Sequence, residues 1–190
     1  MLQDTLQHRP ALAAERTSER REAAVALLLR PREHLELLLI KRANNQHDPW
    51  SGHMALPGGR RGPGDTDLVA TAFRETDEEI GITLARVGQY LGALDEVAPL
   101  NPRLPQLIIA PYVVAVPEAT TATPNPVEVD FAVWVPLPAL REPGAAGEIL
   151  IQFEGASRSM PSLRYGEHVI WGLTLRILEQ FFELAEDAGI

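Results

Sequence analysis

Two short apolar runs open the ordered pattern: Ala24-Val25-Ala26-Leu27-Leu28-Leu29 and Leu35-Glu36-Leu37-Leu38-Leu39-Ile40, separated by Arg30-Pro31-Arg32-Glu33. Runs of this length with a turn-like break predict a buried β-hairpin. A polar loop through Asn44, Asn45, Asp48 and Pro49 follows, then a short strand at Met54-Ala55-Leu56 stopped by Pro57-Gly58-Gly59. Between Asp67 and Ile80 the period changes to that of a helix, with Val69, Ala72, Phe73, Thr76 and Ile80 on one side, and Gly81 stands where a helix-terminating glycine belongs. Strands are predicted at Val87 to Ala93, Leu107 to Val116, Phe131 to Val135 and Ile149 to Phe153, with a proline-rich loop at Pro117 to Val127. From Val169 to Phe182 an amphipathic closing helix is expected, with Trp171 on its apolar stripe and His168 as a possible cap. Strands and helices mixed in this way predict an α/β (α+β) sandwich.

Residues 1–22 are polar and charged, and read as a helix or arm outside a single domain at 23–190. The arm has no apolar segment of signal-peptide length, and no later stretch is long and apolar enough for a membrane span. With no cysteine in the chain, disulfides, thiolate metal sites and a cysteine nucleophile are excluded, which suits a cytoplasmic location. A net charge of -9 repels a nucleic-acid backbone and leaves a metal-bridged small polyanion as the fitting partner.

The chemistry concentrates in Arg74-Glu75-Thr76-Asp77-Glu78-Glu79-Ile80-Gly81-Ile82. On a helix, Glu75, Glu78 and Glu79 share one face, expected to lie about opposite the apolar stripe. Carboxylates there repel one another and sit in the last turn, where the helix dipole adds negative charge, so a solvated acidic face or a bound hard cation must compensate. Arg74 is placed to hold one of them by a hydrogen bond.

Gly59, Asp65 and the run from Arg74 to Ile82 resemble the Nudix box, a glycine-loop-helix-loop signature. Asp65 stands where that pattern has glutamate, eight residues instead of seven precede Arg74, and Thr76 replaces an aliphatic residue. Leu38-Leu39-Ile40-Lys41-Arg42-Ala43, Gly52 and Leu56-Pro57-Gly58-Gly59 resemble the upstream signature of one branch, the coenzyme A pyrophosphatases, with His47 near the place of a second arginine. Asn125-Pro126-Val127-Glu128-Val129 and His168-Val169-Ile170-Trp171-Gly172-Leu173-Thr174 resemble further features of that branch.

The resemblance implies a Nudix-type α/β/α sandwich with a mixed sheet between helices, and a pyrophosphohydrolase using Mg²⁺ or Mn²⁺. It implies that Glu75, Glu78 and Glu79, with a backbone carbonyl near Gly59, hold the divalent ions, and that coenzyme A is split to 3′-phosphoadenosine 5′-phosphate and 4′-phosphopantetheine. Glu128 is the candidate general base, with Glu78 and Glu79 as catalytic acids of the box, and Arg42, Arg60 and Arg61 are candidate phosphate contacts. Trp50 and His53 are candidates either for packing or for a nucleobase contact. Another nucleoside diphosphate derivative, such as a dinucleotide, ADP-ribose or nucleotide sugar, is the second substrate reading. A silent nucleotide-binding module is the third, and a homodimer is expected from general frequency.

Overall fold

The computed structural model describes residues 2–16, 20–46, 48–99, 101, 104–153 and 156–190. His47, read as near the place of a second arginine, lies outside them. In chain order the elements are α1 (Leu2–His8), β1 (Arg21–Arg30), β2 (Glu36–Arg42), β3 (Met54–Ala55), β4 (Gly58–Arg60), α2 (Leu68–Ile80), α3 (Leu84–Val87) and β5 (Gln89–Ala93). They continue with β6 (Leu107–Ala115), β7 (Val129–Pro136), α4 (Leu137–Arg141), β8 (Ala146–Phe153), β9 (Ala156–Tyr165), β10 (His168–Trp171) and α5 (Gly172–Asp187).

Seven strands form a mixed sheet in the order β3-β2-β1-β6-β5, with β4 added to β1 and β7 to β2. β1 and β6 run parallel from Arg21↔Leu107 to Leu29↔Ala115, and the other pairs in the sheet are antiparallel. Alternation along β1 divides the core between two faces. Leu27 and Leu29 pack on the side of α1 and α5 with Leu6, Ile177 and Phe181, whereas Ala24, Ala26 and Leu28 pack on the side of α2 and α3 with Ala72, Ile80 and Leu84. The mixed sheet between helices is therefore as expected. A second, antiparallel sheet is ordered β10-β9-β8.

The predicted hairpin forms, but its strands soon part. Only Leu29↔Leu37 and Arg30↔Glu36 pair across it, because further along the shared edge β4 takes up β1 at Ala23–Val25 and β3 takes up β2 at Ile40–Lys41, while β6 and β7 cover the outer edges. Three further expectations are corrected. The segment at Val87 closes the short helix α3, and the strand begins at Gln89. The closing helix begins only at Gly172: His168 and Trp171 belong to β10, where His168 pairs with Tyr165 and neither caps nor lines a helix stripe. Finally β9 was not anticipated, since its Ser-rich sequence with Pro161 reads as loop. Pro161 is tolerated because β10 ends opposite Ser162, leaving the side of β9 away from Glu148 without a neighbour at that point.

Candidate active site

The box helix α2 is built from strong helix formers between two local stop signals. Asp67 caps its first turn by accepting a hydrogen bond from Ala70 N (2.8 Å), and Gly81 ends it in the left-handed region at φ 67°. Thr76, at the aliphatic position, is fully buried and donates its hydroxyl to Ala72 O (2.7 Å), so the polar atom is satisfied within the helix.

The buried face of α2 comprises Leu68, Thr71, Ala72, Thr76, Glu79 and Ile80. The three glutamates therefore do not share one solvated face opposite the apolar stripe, as the sequence suggested. Glu78 is exposed and Glu75 half-buried, while Glu79 retains only 2% of its accessible surface. The cause is the glycine pair, which does not form the expected turn but opens strand β4 against β1. Gly58 N donates to Glu79 Oε2 (2.9 Å), giving a buried carboxylate the backbone partner it needs, and Gly59 leaves the space that the Glu75 carboxylate occupies. Burial still dominates at Glu79 and pushes its pKa up to about 8, against the opposing pull of Gly58 N–H and the Arg42 guanidinium; Glu75 and Glu128 raise it further. Burial likewise raises Glu75.

Arg74 organises the outer half of the site. Its Nε and Nη2 each meet the Asp65 carboxylate at 2.9 Å, while Nη1 lies 2.9 Å from Glu75 and 2.8 Å from Glu78. Asp65 also accepts from Gly62 N (2.7 Å) and Thr71 Oγ1 (2.9 Å), so it acts as a clamp that orients the arginine. The Arg74 hydrogen bonds hold Asp65 well below the usual carboxylate range. A depressed carboxylate pKa contributes stability above its unfolded value and loses it as pH falls. Asp65→Asn is therefore expected to cost about 1.5–3 kcal/mol at neutral pH, a difference that begins to shrink only as pH falls below about 4, as measured by urea unfolding across pH.

Two remote segments meet the buried end of α2. Asn125 N donates to Glu79 O and Thr123 N to Ile80 O, both at 2.8 Å, docking the proline-rich loop on the helix terminus. Glu128 follows in that loop, exposed, with its carbonyl accepting from Ala43 N (2.9 Å) at the end of β2. Arg42 reaches in from β2, with Nη1 3.7 Å from Glu79 and its Nε and Nη2 2.8 and 2.7 Å from Asp48 Oδ2.

Sequence reasoning missed Asp48 as a partner of Arg42, and it missed Gly58 N–H as the donor to Glu79. Of the other candidates, Arg60 is exposed on β4 and its carbonyl accepts from Arg74 (3.1 Å). Arg61 is tied to Glu22 (2.8 Å) and to Thr66 O (3.1 Å). The His53 ring lies against Trp171, centroids 4.7 Å apart, and Trp50 packs on the core.

Among the described residues, no three acidic or histidine side chains close around one point. Glu75 and Glu79 nevertheless converge on Gly58–Gly59 as oxygen donors, Glu75 adding to the upward shift of Glu79, with one carboxylate buried and compensated only in part. That donor set and its charge fit a hard divalent cation.

The box helix packed on the glycine pair of β4, set beside a mixed sheet between helices, is the arrangement expected of a phosphoanhydride hydrolase. The model of the NUDIX domain matches residues 19–152, and the chain belongs to the Nudix family, hydrolases of phosphoric anhydride bonds in nucleoside diphosphate derivatives that use divalent metal ions. It is 34% identical over 160 residues to an uncharacterized Nudix hydrolase, NudL, of Photorhabdus laumondii, covering 84% of this chain and 82% of that one. A Schizosaccharomyces pombe protein, also uncharacterized, is 41% identical over 118 residues, which span 60% of this chain and only 36% of that protein. In fold the chain is similar to a MutT/nudix family protein of Enterococcus faecalis (TM-score 0.61, 17% identity, 91% of this chain and 65% of that one). It is also similar to the NUDIX domain of Shewanella oneidensis NrtR, solved with ADP ribose (TM-score 0.59, 16% identity, 88% and 89%). No helix among the described residues is long and apolar enough to cross a membrane.

Proposed function

We propose that the chain hydrolyses the diphosphate of coenzyme A or its derivatives, releasing 3′-phosphoadenosine 5′-phosphate and 4′-phosphopantetheine. The observation that carries this reading is the meeting of Arg42, from the branch-like upstream run, with buried Glu79 of the box, 3.7 Å apart. Glu75, Glu78 and Glu79, with the Gly59 carbonyl, are the residues that hold Mg²⁺ or Mn²⁺. When bound, the ion neutralises charge on the phosphoryl oxygens and acidifies water. Arg42 stands where it can donate to a phosphate oxygen while Asp48 fixes its orientation, and Arg60 lines a cleft that reaches Arg74 and Glu75.

Glu128 is the proposed general base: it is exposed, and close enough to Glu75 and Glu79 to raise the pKa of both. We read residues 23–190 as the catalytic domain, with 1–22 supplying α1, whose Leu2 and Leu6 join its core, and the start of β1, and the protein as a cytoplasmic homodimer. Hydrolysis of another nucleoside diphosphate derivative, such as ADP-ribose, is the competing reading. Product analysis over coenzyme A, ADP-ribose, dinucleotides and nucleotide sugars separates the two. The expected result is a kcat/KM for coenzyme A at least about tenfold above every other panel member, a margin of about 1.4 kcal/mol in transition-state binding. A higher value for another member contradicts the substrate assignment.

A further inference from the structure

The antiparallel pairing of β1 with β4 sets the start of one strand against the end of the other. Arg60 lies opposite Ala23, and Arg61 N donates to Glu22 O (3.0 Å). Arg20, Arg21, Arg60 and Arg61 thus line one cleft of about 470 Å³, in a chain whose net charge is -9. Arg61 is neutralised by Glu22, which also lines the cleft and which Arg16 engages as well, and among the described residues Arg20 donates to the neutral Glu15 carbonyl (2.7 Å). Among the described residues, neither Arg21 nor the Arg60 guanidinium has a carboxylate partner.

Arg21 is the diagonal cross-strand neighbour of Arg60, so the two side chains leave the β1–β4 pair on the same face. The cleft is not isolated. Arg60, Arg61, Gly62 and Pro63 also line a second cleft of about 580 Å³ that ends at Arg74 and Glu75 of the box. One groove therefore leads from Glu75 of the box to a cluster of guanidiniums.

We propose that this cluster is a second anion subsite, taking a phosphomonoester carried on the nucleoside of the substrate while the diphosphate lies at Glu75 and Glu79. Arg21 and Arg60 supply the paired donors, and Arg20 and the Glu22-anchored Arg61 border the pocket. The inference rests on the diphosphate-hydrolase reading, and it predicts that the enzyme favours substrates with that extra phosphate.

The test compares coenzyme A with 3′-dephospho-coenzyme A, which differ only in the phosphomonoester, for the wild type, Arg21→Gln/Arg60→Gln and Arg20→Gln. The wild type is expected to favour coenzyme A in kcat/KM, chiefly through KM. The double variant should lose that preference by about tenfold or more, with a smaller loss in the single variant. Equal use of both substrates by the wild type, or an unchanged preference in a folded double variant, overturns the subsite.

Calorimetric binding of adenosine 3′,5′-bisphosphate, AMP and inorganic phosphate separates this from failure of the hydrolase reading. If neither coenzyme is cleaved, tighter binding of the bisphosphate than of AMP by the wild type alone still supports the subsite. Inorganic phosphate binding as tightly as the bisphosphate marks a site for free anions and overturns it.

Discussion

Glu79→Gln is expected to lower diphosphate hydrolysis on the order of 10²–10³-fold while making the metal-free protein more resistant to heat at alkaline pH. The loss follows from removing a charge that holds the cation, a contribution of several kcal/mol to the barrier. The gain follows from burial. In the unfolded chain this carboxyl titrates near its ordinary 4.5, and in the folded protein near 8.

A folded-state pKa above the unfolded value means that the native protein retains a proton which the unfolded chain releases. Stability therefore falls as pH rises from about 4.5 to about 8, and the penalty is complete above that window. Glutamine imitates the protonated form, and its amide oxygen can still accept from Gly58 N. In chelator, the variant should match the wild type near pH 4.5 and melt several degrees higher above pH 8, read by calorimetry. Added Mg²⁺ or Mn²⁺ should recover part of that stability in the wild type only. Retained turnover, or equal melting across the whole range, contradicts the role assigned to Glu79.

The two adjacent glycines of the box should respond in opposite ways to alanine. Gly58 has φ 150°, and an added Cβ would press on the Ala24 carbonyl and come within 2.6 Å of Val25 Cα. Neither backbone can retreat without breaking the Val25↔Gly58 register and the bond to Glu79. Gly58→Ala should cost about 3 kcal/mol or more, roughly a 10 °C fall in melting temperature for a domain of this size.

Beside Gly59, the nearest atoms to an added Cβ all belong to the Glu75 carboxylate, with Oε1 at 2.7 Å. A side chain can swing away where backbone cannot. Gly59→Ala should therefore leave stability within about 1 kcal/mol and reduce kcat on the order of 10²-fold by displacing Glu75. Melting and steady-state kinetics on the two variants check the contrast, and equal melting temperatures for the pair would contradict it.

These contrasts mark what was legible in the chain. The helical period from Asp67 to Ile80 and the Gly81 terminus are contiguous, so their spacing alone located α2 to within a residue, whereas the Gly58–Gly59 pair, read as a turn, is the start of β4. Arg74 was anticipated as a partner of one carboxylate. Its fork on Asp65 shows why a shorter acid at a longer spacing suffices: the Gly62–Asp65 turn folds the loop back toward the helix.

The burial of Glu79 was not legible. Helical periodicity assigns a residue to a face, but the donor that makes a buried carboxylate tolerable is a backbone N–H 21 positions away. Asp48 escaped for the same reason, because nothing local distinguishes a loop aspartate from one that fixes Arg42. The pattern around Val169 misled because a β10 strand of four residues and the α5 helix share one continuous apolar run, and period alone does not divide it.

The most direct test of the account is the initial rate of coenzyme A hydrolysis by the purified wild type, with Mg²⁺, with Mn²⁺ and with excess chelator, products resolved by chromatography. The account predicts paired release of 3′-phosphoadenosine 5′-phosphate and 4′-phosphopantetheine with metal, and none above background with chelator. Hydrolysis undiminished by chelator, or no release of either product with both metals, would contradict it.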